Sequence, residues 1–370
     1  MSSKANFPTV AIVEEGMREG LQIERLGISV SQKVELLDAL SRTGIRRIAV
    51  GSFVSAKWVP QMAEVDELVA AFTPVDGVEY TALALNERGR ERYRAFVPPL
   101  SPRPGPPATL VHLCDVFVRR NTNRSTAQEM DDWPTVVARA LGSPGRDAGI
   151  GINAAWGSNW AGRFTLDQRM DYLERQHALW TDNGFTVRQV FIGDPMGWNS
   201  PGAVARQLRA IIARWPEITT FHLHLHDTRG MALASAYVAL TELDGRHRLV
   251  LDSCIGGIGG CPYCGNGRAA GLLCTEDVVQ MLEAEGISTG IDLKLLVEAA
   301  KLAEEILGHP LNGHVSKAGP MPYGDDLYPE DLPRIETLDH AQHFRLGPSV
   351  YEGMPSPWSR PIAVSEDQER

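Results

Sequence analysis

The run FHLHLHDTRG at 221–230 concentrates side chains that can hold a cation. His222, His224 and His226 alternate with apolar residues, the period of a β-strand, so all three imidazoles share one face. Leu223 and Leu225 then face the opposite way, into packing. The polar residues 227–230 end the strand, which places His224 and His226 at its C-terminal end. Histidines two apart on a strand are roughly 7 Å apart at Cα, and their rings can converge on one divalent ion. A lone histidine reads as a packed or a solvated ring. A His-x-His pair at a strand end, followed by Asp-Thr, reads as metal-binding. His222, deeper in the strand, reads as a core histidine.

Three loops bring further groups. Glu14-Glu15-Gly16-Met17-Arg18-Glu19-Gly20 follows a first strand at 10–14. Gly16 and Gly20 allow a sharp turn that carries Arg18 and Glu19 toward the histidines. Glu19 would add a carboxylate to two imidazoles, the donor set of a catalytic metal site with open positions. Arg18 keeps its charge and could hold a developing oxyanion. In isolation an Arg-Glu pair reads as a surface ion pair. Asp194 follows Gly193; it could reach a metal through water, act as a base, or simply open an Asx turn. The glycine-rich run at 253–264 carries Cys261 between Gly260 and Pro262. A loop of this kind could close and deliver the thiol as a general acid. Cys261 and Cys264 also form a C-x-x-C, but a structural zinc site needs a second, matching pair, and Cys254 and Cys274 lack that spacing.

These loops need a scaffold that ends several strands at one place. Strand-like runs recur at 10–14, 47–50, 79–85, 109–117, 150–156, 187–192, 221–225 and 249–252. Helical patterns fall between them, at about 29–44, 61–72, 86–96, 126–141 and 165–183, and from 275 and 292. Ser29-Val30-Ser31-Gln32 and Thr165-Leu166-Asp167-Gln168 are capping boxes, and Ser200-Pro201 is an N-cap with proline at the first helical position. Eight strands alternating with helices predict a parallel α/β fold, a (β/α)8 TIM barrel with chemistry after the strand C-termini. A doubly wound sheet is the alternative, and no G-x-G-x-x-G follows the first strand to support it. The proline-rich 98–107 lies at the opposite, N-terminal face. From about Pro310 prolines and aromatics replace periodicity. The chain thus divides into a barrel domain, 1–308, and an irregular extension, 309–370, packed on the barrel or on a partner subunit, with a mobile end after about Pro361.

The 370 residues exceed the roughly 250 of a bare barrel. A net charge of -10, with both signs mixed along the chain, argues against nucleic-acid binding. No apolar run approaches the ~20 residues of a membrane span, and 1–10 has no signal-peptide core. Five cysteines in a long chain suggest free thiols and a reduced, cytoplasmic setting.

In this order the motifs MREGLQ (17–22), SFVSAKWVPQMAE (52–64), HLHDTRG (224–230) and GIGGCPY (257–263) resemble the 3-hydroxy-3-methylglutaryl-CoA lyase family, from about 10 to 307. That family belongs with the metal-dependent barrel lyases and Claisen-type synthases. The resemblance implies Mg²⁺ or Mn²⁺ on Glu19, His224 and His226. It implies Arg18 stabilising an enolate, Asp194 beside the substrate hydroxyl and Cys261 as the loop acid. The implied reaction is retro-Claisen cleavage of a 3-hydroxyacyl-CoA thioester, in a homodimer or larger homo-oligomer. A condensing synthase and a barrel without catalysis are the competing readings. Four departures stand out. The family has Asp at Glu19 and Glu at Ala49, which would leave Arg18 one anionic partner short. Its fourth ligand, an asparagine, falls at Leu272 here, leaving Asn266 on a longer loop as the candidate. The family lacks the extension. These differences point to a substrate other than 3-hydroxy-3-methylglutaryl-CoA.

Overall fold

The computed structural model describes residues 6–102, 105–142, 144–265, 271–328 and 330. Eight strands build one sheet: β1 (Thr9–Glu14), β2 (Arg47–Ser52), β3 (Glu79–Leu83), β4 (Val111–His112), β5 (Asp147–Asn153), β6 (Thr186–Asp194), β7 (Thr220–Leu225) and β8 (Arg248–Ser253). Their order is β3-β2-β1-β8-β7-β6-β5-β4, and every neighbouring pair is parallel. The first strand pairs with the last, from Thr9 opposite Arg248 to Glu14 opposite Ser253. This is the order around a (β/α)8 barrel, and it excludes the doubly wound sheet, which would separate first and last strands.

The helices are α1 (Val30–Ser41), α2 (Val65–Ala71), α3 (Glu87–Ala95), α4 (Asp115–Thr122), α5 (Thr126–Asp131), α6 (Trp133–Leu141), α7 (Leu166–Asp182), α8 (Pro201–Arg214), α9 (Ala232–Glu242), α10 (Thr275–Ala284), α11 (Leu293–Leu307) and α12 (Val315–Ala318). Both expected capping boxes form. Ser29 and Thr165 each accept the backbone N–H three residues on, and Gln32 and Gln168 answer the caps. Alternation on the strands sends one face outward. Ile150 and Ile152 of β5 pack with Leu173 and Trp180 of α7 in a large outer core. Each such aliphatic side chain contributes ~1.5–3 kcal/mol on burial.

Three expectations shift. The strand expected at 109–117 keeps only two residues as β4, because the Cys114 sulfur caps α4 by accepting the Phe117 N–H at 3.4 Å. The helix expected at 126–141 breaks into α5 and α6, where Pro134 starts a new first turn. The expected aperiodic extension begins with order: Leu311 lies against Gly256, the Asn312 N–H donates to the Gly256 carbonyl at 2.9 Å, and α12 follows. Its later part, with Phe344, Tyr351 and Trp358, lies outside the described residues.

Candidate active site

Glu14, the last residue of β1, ties two loops together. It accepts the Gly16 N–H at 2.7 Å, the Ile255 N–H at 2.9 Å and the Thr275 hydroxyl at 2.5 Å. Burial pushes its pKa up to about 7, against these bonds. Residues Gly16–Gly20 then make one wide helical turn. The two glycines serve close approach rather than an unusual backbone angle. A Cβ at Gly16 would stand 2.5 Å from Glu14 Oε1, and one at Gly20 would stand 2.5 Å from Ile258. The turn delivers Arg18 and Glu19 to the barrel mouth.

There Glu19 meets the end of β7. The ligand atoms of Glu19, His224 and His226 lie within 4.8 Å of one another, and all three residues are buried. His226 Nε2 is 3.3 Å from His224 Nε2 and 3.5 Å from Glu19 Oε1. His224 Nδ1–H donates to Asp252 Oδ2 at 2.9 Å, which turns the bare Nε2 toward the other two groups. Two ring nitrogens and a carboxylate thus share one space, and only one proton fits between the nitrogens. Burial opposes charge on His224, but Asp252 and Glu19 more than offset it and raise its pKa. Burial, with His224 beside it, drives His226 down to about 3, so its ring is neutral at pH 7. Burial disfavours a charged Glu19, yet Arg18 and the two histidines hold its pKa below the usual carboxylate range. The Nδ1 of His226 is buried without a hydrogen-bond partner. A neutral imidazole, a second aligned imidazole and an ionised carboxylate are what a divalent ion requires.

Asp252 was not singled out from the sequence. It stands opposite His224 in the β7–β8 register, and its second oxygen is 2.6 Å from His222 Nε2. His222 is therefore not a core histidine. It is half-buried on the inner face and shares Asp252 with His224, because strand alternation puts both rings on the barrel axis.

Arg18 is not short of a partner either. Its Nε–H donates to Glu15 Oε2 at 2.7 Å, and its guanidinium also bonds Glu19. Ala49 is buried in β2 and offers no carboxylate. Glu15 supplies one instead, three residues before Arg18 in the same turn.

Asp194 accepts the Trp198 N–H at 3.0 Å, the Asn199 N–H at 2.6 Å and the Asn199 side-chain amide at 2.7 Å. Burial outweighs these bonds and raises its pKa to about 6. Cys261 is buried with Cys114, Phe117, Ala154, Met196 and Cys264. Burial pushes its thiol up to about 12, so it stays protonated. All five cysteines are free thiols, and the C-x-x-C forms no disulfide. The loop reaches this seat across the metal group. Gly259 has φ +87°, and a Cβ there would stand 2.9 Å from the Glu19 carbonyl. Asn266 lies outside the described residues. Leu272 is fully buried and its backbone bridges that of His226, so it brings no donor atom to the site.

No helix among the described residues is long and apolar enough to cross a membrane. A protein-family model described as HMGL-like matches residues 9–303. The 3-hydroxy-3-isohexenylglutaryl-CoA/hydroxy-methylglutaryl-CoA lyase of Pseudomonas aeruginosa is 34% identical, over 85% of this chain and 98% of its own length. The (R)-citramalyl-CoA lyase of Chloroflexus aurantiacus is 33% identical, over 84% of this chain and 95% of its own. A solved HMG-CoA lyase from Acinetobacter baumannii, in complex with coenzyme A and 3-methylmalate, superposes with a TM-score of 0.69 at 26% identity, over 89% of this chain and 99% of its own. With eight parallel strands and a buried Glu-His-His group at their ends, the chain belongs to the HMGL-like family and is an HMG-CoA lyase-like carbon–carbon lyase.

Proposed function

We propose that the chain cleaves a 3-hydroxyacyl-CoA thioester by a retro-Claisen reaction, with Mg²⁺ or Mn²⁺ on Glu19, His224, His226 and, as a fourth ligand, Asn266. The convergence of three buried ligand atoms within 4.8 Å carries this reading. A bound divalent ion supplies Lewis acidity to the oxygens of the substrate. The chain's own residues do the rest. Asp252 holds the His224 tautomer. Asp194, ionised above about pH 6, takes the proton of the 3-hydroxyl. The C2–C3 bond breaks, C3 becomes a ketone, and its electron pair passes to the thioester as an enolate. Arg18, held by Glu15, stabilises that oxyanion more than it stabilises the ground state, which is what raises rate. Cys261 returns a proton to C2, consistent with a thiol that burial keeps protonated.

The preferred substrate differs from 3-hydroxy-3-methylglutaryl-CoA. Glu19 is one methylene longer than aspartate, and Leu272 offers no ligand. Both would change where these residues hold an ion relative to the histidines, and catalytic groups need placing to about 0.5 Å. The test is kcat/KM for that thioester against a panel of other 3-hydroxyacyl-CoAs, on magnesium-loaded protein. Another member of the panel is expected to be best. If 3-hydroxy-3-methylglutaryl-CoA is best, the substrate reading fails; if none is cleaved while metal is bound, the lyase reading fails.

A further inference from the structure

The strand N-termini, at the face opposite the metal group, carry a charged cleft of about 520 Å³. It wraps the start of β1, which lies between β2 and β8 in the sheet. Both neighbours begin with arginines. The chain reads Gly44-Ile45-Arg46-Arg47 into β2 and Gly245-Arg246-His247-Arg248 into β8, and all four arginines line the cleft. Arg248 stands opposite Thr9 in the β1–β8 register and four residues before Asp252, so alternation turns it to the barrel axis.

The acids nearby are taken. Glu79 Oε2 accepts from Arg47 at 2.8 Å. Asp244 holds Arg246 at 2.8 Å and His247 at 2.9 Å. Glu283 accepts the Thr289 N–H and hydroxyl, both at 2.7 Å. The side chains of Arg46 and Arg248 are exposed, and among the described residues neither has a hydrogen-bond or ion-pair partner. The chain as a whole has a net charge of -10, so this local excess of positive charge runs against its average. The N-terminal face of a barrel ordinarily serves stability, and like charges brought together work against it. A bound anion would remove that repulsion.

The cleft also selects among anions. β2 and β8 stand about 10 Å apart across β1, so Arg46 and Arg248 approach a ligand from two sides. Thr9 lies between them and adds a hydroxyl. A planar carboxylate is matched by one guanidinium edge, whereas a phosphoryl group offers oxygens to both sides. Half-buried Val10, Ile287 and Ile291 line another part of the cleft and give an apolar body a place to sit.

We infer that this cleft is a second binding site, for a small organic phosphate monoester. Its phosphate sits between Arg46 and Arg248, and its apolar body lies on Val10 and Ile287. The metal group stands at the opposite ends of the strands, so this ligand is not the substrate of that site. The inference goes beyond the lyase reading and stands without it.

The experiment titrates phenyl phosphate and, separately, benzoate into the magnesium-loaded chain by calorimetry, at low ionic strength and without phosphate buffer. Wild type is expected to bind phenyl phosphate saturably, at least ~10-fold more tightly than benzoate. Arg46→Ala with Arg248→Ala should weaken phenyl phosphate at least ~10-fold, the usual effect of losing hydrogen bonds to a charged group. Arg18→Ala should bind it as wild type does, which separates the cleft from the cation at the barrel mouth. No saturable binding in wild type, benzoate bound as tightly, or an unchanged constant in the double variant overturns the inference. So does loss of binding in Arg18→Ala. The first two outcomes need wild type alone and decide the matter even where a variant fails to fold.

Discussion

The two sides of the barrel mouth use the same residue types to opposite effect. At the ends of β1 and β7, Glu19, His224 and His226 converge their ligand atoms on one space, an arrangement a divalent cation would satisfy. At the ends of β4 and β5, Glu129, His112 and Asn153 form a donor–acceptor chain in which each named atom finds a partner. The lesson lies in the third group. A second imidazole nitrogen opposite Nε2 creates a shared demand for positive charge, while an amide N–H₂ opposite Nε2 answers it. A histidine–carboxylate pair alone does not distinguish a metal site from a hydrogen-bonding wall. The Cys261 loop joins the two sides, leaving over Glu19 at Gly259 and landing beside Cys114 and Ala154.

The largest expected effect breaks the comparison on one side only. His224→Ala with His226→Ala should take metal content from one ion per chain to none and lower turnover by at least ~10³-fold. His112→Leu should keep the ion. Elemental analysis of protein purified without chelator decides the point, and equal metal in wild type and the double variant would erase the contrast.

A smaller effect is expected at the bridge between the sides. Cys261→Ser should lower kcat ~10²-fold while metal content and melting temperature hold. Cys264→Ser, in the same apolar seat, should change turnover little. Greater damage from Cys264→Ser would transfer the acid role.

The smallest effect tests the scaffold of the metal side, through pH. Glu14 is protonated in the folded chain and ionised in the unfolded chain between pH of about 4.5 and about 7. The folded state binds the extra proton there, so stability falls as pH rises through that window, by up to ~3 kcal/mol in all. Glu14→Gln has no proton to lose and should flatten this slope in urea unfolding of metal-free protein. An equal slope in both proteins would assign the pH dependence elsewhere.

Much of this was legible in the chain. Alternation at 221–226 placed His224 and His226 on one face, the two capping boxes formed where Ser29 and Thr165 predicted them, and eight strand-like runs indicated the barrel. The misreadings share a cause. β4 was overdrawn because Val116 and Phe117 look like strand, and only the Cys114 cap reveals them as helix. His222 was assigned to packing because its partner, Asp252, lies thirty residues on. Ala49 suggested a freed Arg18, since nothing local says that Glu15 turns toward the guanidinium.

The sequence by itself determined which groups stand at strand ends, because period and loop composition are local properties, set by backbone geometry within a few residues. Which of those groups meet was decided by the tertiary structure. Closure of β1 onto β8 brings Ile258 against Gly20 and sets Ile255 on Glu14, and the β7–β8 register puts Asp252 behind His224. The β4–β5 register sets His112 against Asn153, 41 residues apart. These contacts depend on strand order and register, which arise from packing the whole barrel and leave no periodic trace in the segments they join.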